Sequence, residues 1–88
     1  MSEDMRFSLD SGTLRYYNAA TESEPGPLDW IGGQPLQHEF RAIRGTEPGM
    51  ALLEGLTPAG DLALMTLRWD TGQPFEDTCA IAVERIIR

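Results

Sequence analysis

A chain of 88 residues has room for one domain and one small core. Hydrophobic residues make up 41% of it, which argues against disorder, and fourteen acids against seven bases give a net charge of −7. That excess disfavours binding to nucleic-acid backbones and to anionic membranes, and because all seven bases are arginine there is no lysine for a Schiff base, a phosphate loop or general-base work.

Residues 1 to 4 are expected to be a mobile N-terminus. The opening "MSEDMRFSLD" has no basic region followed by an apolar run, so no signal peptide is expected. No apolar run approaches the roughly 18 residues that cross a bilayer. The single cysteine, Cys79, cannot form an intrachain bridge and fits a reducing compartment. A cytoplasmic location follows as the expectation.

"MRFSLDSGTLRYYN" reads as a β-hairpin turning at "DSGT", with Gly12 supplying the positive φ. An even loop pairs Leu9 with Leu14 and Phe7 with Tyr16 and leaves one face wholly apolar. A three-residue loop would set Phe7 against Arg15 and destroy that face. Residues 19 to 36 then form a long connection, rich in proline and glycine, around Trp30 and Ile31. Three readings of it compete. Trp30 and Ile31 plug the open end of the core; or Gly32-Gly33 makes a tight hairpin turn and Ile31 starts a strand; or Trp30 and Ile31 are exposed anchors framed by Glu22, Glu24 and Asp29.

"LQHEFRAIRG" follows as a strand of poor periodicity, with Phe40 and Ala42 pointing one way and Glu39, Arg41 and Ile43 the other. "MALLEGLTPAGDLALMTLRW" is a second hairpin around a three-residue loop, with Pro58 at the first corner and Gly60 left-handed. Thr57 then pairs with Asp61, Gly55 with Ala63, Leu53 with Met65, Ala51 with Leu67 and Gly49 with Trp69. Trp69 over Gly49 resembles aromatic covering of a strand glycine. The other face holds Leu52, Leu56, Leu62 and Leu64 beside Glu54, Thr66 and Arg68. It is too apolar to be fully solvated, so another layer or a partner is expected to cover it.

"PFEDTCAIAVERIIR" supports two readings. Pro74, Glu76, Asp77, Arg85 and Arg88 suit the two ends of a helix. Five β-branched residues between Thr78 and Ile87 favour a strand, which is the preferred reading, with Ile81 and Val83 buried and Arg85 at the edge of the core. The expected fold is a single mainly β domain, a small barrel or rolled antiparallel sheet of five or six strands. The alternative is α+β, with 74–88 as a helix on the sheet.

Little chemistry is visible. Cys79 and His38 are the only thiol and the only imidazole. Cys79 lies in an apolar run and reads as an inert core thiol, and His38 between Gln37 and Glu39 reads as a surface residue. Carboxylates such as Glu22 with Glu24, or Glu76 with Asp77, read as solvated loop charge. No catalytic residue, cofactor or metal is predicted. The expected function is a non-enzymatic protein–protein interaction module, accessory or regulatory, using Trp30, Ile31, Leu52, Leu56, Leu62 and Leu64. Two alternatives stand beside it: a structural homo-oligomer, and an acidic inhibitor or nucleic-acid mimic of the kind phage encode.

Overall fold

In a computed structural model, residues 4–21 and 23–87 are described; the N-terminal Met1–Glu3 lie outside, so their expected mobility is not addressed. The first hairpin is β1 (Met5–Asp10) with β2 (Thr13–Asn18), paired in the even register, Leu9 with Leu14 and Phe7 with Tyr16. Its two-residue turn puts both Ser11 (φ 51°) and Gly12 (φ 88°) in the left-handed region. That geometry matches the twist of the flanking strands.

The connection is not a structureless loop. It contains three two-residue strands: β3 (Gly26–Pro27), which adds to β2, and the small hairpin β4 (Trp30–Ile31) with β5 (Gln34–Pro35). Leu28, whose amide donates to the Leu14 carbonyl at 2.7 Å, is the buried residue of this segment.

A four-stranded antiparallel sheet completes the fold, in the order β6 (Glu39–Glu47), β7 (Met50–Leu56), β8 (Leu62–Arg68) and β9 (Ala80–Ile86). The β7–β8 hairpin keeps the expected register, and the Thr57 amide donates to the Asp61 carbonyl at 2.9 Å across the turn. Gly49, however, is not covered by the Trp69 ring. It serves a turn at φ 83°, and the indole packs on Phe7 and Phe75 instead.

β6 departs from the expected alternation. Phe40 pairs with Gly55, Ile43 with Leu53 and Thr46 with Ala51, so Phe40 and Ile43 share the inner face. Bulges at Arg41 and Arg44 each insert one residue, which turns a period of two into a period of three.

The C-terminal segment uses both of its signals. Pro74 precedes a single helical turn, α1 (Phe75–Thr78), with Glu76 and Asp77 in that turn. Cys79 is already extended, and the β-branched run continues as β9. The burial expected of it does not follow. Ile81 is half-buried and Val83 is 47% exposed. Both face the inner side of the sheet, opposite Leu67 and Met65, but β9 is the last strand and the core does not extend over Val83. Among the described residues no carboxylate lies within ion-pair distance of Arg85.

The core sits between the first hairpin and the inner face of the sheet. Met5, Leu14 and Leu28 meet Phe40, Ala51, Leu53, Ala63, Met65 and Leu67 there. An aromatic group closes one end: Phe75, 1% exposed, has its ring centroid 4.9 Å from Tyr16, 5.3 Å from Trp69 and 5.9 Å from Phe7. Each such fully buried side chain contributes about 1.5–3 kcal/mol. The chain is therefore mainly β, with antiparallel sheets that do not close into a barrel. None of its described helices is long and apolar enough to cross a membrane.

Candidate functional site

Trp30 and Ile31 separate at the tip of the β4–β5 hairpin. Gly32 (φ 62°) and Gly33 (φ 79°) form its two-residue turn, which no side-chain-bearing residue adopts as cheaply. The Leu36 amide donates to the Asp29 carbonyl at 2.8 Å and closes the base. Strand alternation then sends neighbouring residues to opposite sides. Ile31 is half-buried and packs on the core, while Trp30 is 57% exposed, the most exposed large hydrophobic residue described. The glycine-turn reading holds for the backbone, the plug reading for Ile31 in part, and exposure for Trp30.

The leucines lie elsewhere, on the outer face of the four-stranded sheet. Leu56 pairs with Leu62, and Leu52 and Leu64 flank them on β7 and β8. All four are half-buried, yet none belongs to the core cluster or packs against it. Charged side chains from the neighbouring strands share this face. Arg44, at its bulge, donates to Glu54 at 2.8 Å. Thr66, a buried residue of the same face, donates its hydroxyl to Glu84 at 2.8 Å. The structure thus sets the four leucines on one face, with Glu54 between Leu52 and Leu56, and places Trp30 and Ile31 on a different sheet.

A groove that pattern reading did not reveal runs between the first hairpin and the turn before α1. Its volume is about 910 Å³. Met5, Tyr16 and Phe75 are its least polar lining, and Asn18, Ser23, Glu24, Thr71, Gln73 and Glu76 supply polar groups around them. The Tyr16 hydroxyl donates to the Glu76 carboxylate at 3.4 Å, across sixty positions of sequence. Burial, and then the Glu76 charge, push the Tyr16 phenol above its ordinary value. No local motif could have disclosed this site, because its halves meet only when the hairpin folds onto the sheet.

No protein-family model, curated protein or solved structure matches the chain.

The two residues with the most reactive side chains are kept apart from one another in hydrogen bonding. Cys79 is buried, its thiol reaches only the Glu76 carbonyl at 4.0 Å, and burial pushes it above its ordinary value. His38 is half-buried rather than on the surface, its ring stacked 6.1 Å from Phe40. Its Nδ1 is enclosed without a hydrogen-bond partner, and burial lowers the imidazole's proton affinity. A thiol with a raised pKa is a poor nucleophile at neutral pH, and its one hydrogen-bond contact is the Glu76 carbonyl rather than His38.

Proposed function

We propose that the protein is a non-enzymatic interaction module, accessory or regulatory in role, that docks on another protein. The observation that carries the reading is Trp30, 57% exposed on a hairpin whose base is closed by the Leu36–Asp29 backbone bond. A rigid tryptophan offers large apolar area at small conformational cost, the property that makes it a frequent anchor at interfaces. The outer-face leucines Leu52, Leu56, Leu62 and Leu64 offer a second contact area. The free, buried Cys79 is compatible with a reducing, cytoplasmic setting.

Affinity capture from the native host with wild type and with Trp30→Ala in parallel tests this. A partner retained by wild type and lost by the variant, at unchanged circular dichroism, is expected. Identical retention by both would remove Trp30 from the interface.

A second reading, a homo-oligomer, is favoured by β9. This strand ends the sheet, carries neither proline nor lysine, and leaves Val83 half in solvent. An edge strand presents unpaired backbone groups that can pair with another strand, and here the bulge at Glu84 and the charges of Glu84 and Arg85 guard part of that edge. Light scattering at micromolar concentration separates the readings, since a strict monomer leaves only the hetero-partner.

A further inference from the structure

We propose that the groove beside Tyr16 binds an arginine side chain presented by an extended segment of a partner polypeptide, the guanidinium held over the Tyr16 ring between Glu24 and Glu76. This site is separate from the Trp30 hairpin and does not depend on that hairpin's role.

Three observations converge on this ligand chemistry. The first is size. About 910 Å³ of open space is too much for an ion and suits a side chain together with the backbone on either side of it. The second is charge. Among the described residues lining the groove there are two carboxylates, Glu24 and Glu76, and no base. Both side chains are exposed and accessible to a ligand. The whole chain carries −7, which adds long-range attraction for a basic partner and repels an acidic one. The third is the floor. Tyr16 is only half-buried and packs at 4.9 Å on Phe75, which is itself almost inaccessible. Tyr16 therefore offers aromatic surface to the groove on a fixed base, next to Tyr17 in the lining.

An aromatic ring beside carboxylates favours a guanidinium over an ammonium. The planar cation stacks on the ring while its N–H groups bond a carboxylate in a fork. The Glu76 carboxylate lies 3.4 Å from the Tyr16 hydroxyl, which puts one acceptor beside the ring. The Ser23 hydroxyl and the Asn18 side-chain oxygen are already bonded within the chain, which leaves the Gln73 amide on the wall for the backbone of an extended segment.

The test is an amide-detected NMR titration of the full chain with the peptide acetyl-Gly-Arg-Gly-Arg-Gly-amide, at low salt. Three counterparts replace both arginines by lysine, by citrulline or by glutamate. The expected result is saturable shifts at Gly26, Gly72, Gln73 and Glu76 with the arginine peptide. The lysine peptide should bind several-fold more weakly, and the citrulline and glutamate peptides should give no saturation. Raising salt to 0.5 M should weaken the arginine peptide, because exposed charges are screened. The double variant Glu24→Gln, Glu76→Gln should lose at least tenfold in affinity while its spectrum stays folded. Equal binding of the citrulline peptide, shifts that map away from the groove, or no shifts at millimolar arginine peptide would each overturn the assignment.

Discussion

A Cβ built on Gly55 runs into the Glu39 carbonyl oxygen and stands 2.8 Å from the Phe40 Cα. Both obstacles are backbone, so neither can swing away. Gly55→Ala should therefore cost at least about 2 kcal/mol in a denaturant melt, toward the upper end for overpacking. Ser11 presents the opposite case. It holds φ 51°, a conformation that asparagine adopts more readily than serine. Ser11→Asn should raise stability by about 0.5 kcal/mol, read as a shift of the melting midpoint. At His38, burial sets the folded-state pKa below the ordinary histidine value. As pH falls, the unfolded chain takes up this proton first. The stability tied to neutral His38 is thus complete above about pH 6.5 and erodes as pH falls below it. The stability difference between wild type and His38→Asn should shrink between pH 7 and pH 5.5, and a His38 titration at or above the ordinary value would refute the assignment. Sequence pattern placed Gly55 opposite Ala63, which is where it lies. The approach of Phe40 from the other side depends on bulges that pattern could not show.

Among the elements, both hairpins were legible, registers included. Alternation penalises a one-residue slip: in the first hairpin only the even loop gave an apolar face, and in the second Pro58 and Gly60 indicated the three-residue loop. β6 was not legible in its facing, because bulges at Arg41 and Arg44 break the alternation that such reading relies on. The C-terminal segment was legible as a strand and not in its burial, since nothing in a β-branched run distinguishes an edge strand from a central one. Val83→Ala should consequently cost less than about 1 kcal/mol, whereas a central β9 would have set the loss at about 1–3 kcal/mol. Phe75→Ala should cost about 3–5 kcal/mol, because the ring joins α1 to both the hairpin and the sheet. Chemical denaturation of the two variants side by side checks the ordering, and equal losses would contradict the edge position of β9.

At the scale of the molecule, one layer of hairpin over one sheet leaves much apolar surface outside the core. Trp30, Val83 and the outer leucines all lie there. For so small a domain every core residue matters, so surface apolar groups are the ones free to serve a partner. Which residues were exposed could not be read from composition. Trp30 and Ile31 are adjacent, both large and mainly apolar, and sent opposite ways by one strand of two residues. The proposed role as a docking module rests on Trp30 meeting another protein. A photo-crosslinking residue placed at position 30 and, as control, at Ala59 in the exposed β7–β8 turn, tests this most directly in the native host. The docking account predicts a discrete adduct with a second protein from position 30 and none from position 59. Absence of any adduct at position 30, or the same adducts from both positions, would contradict it.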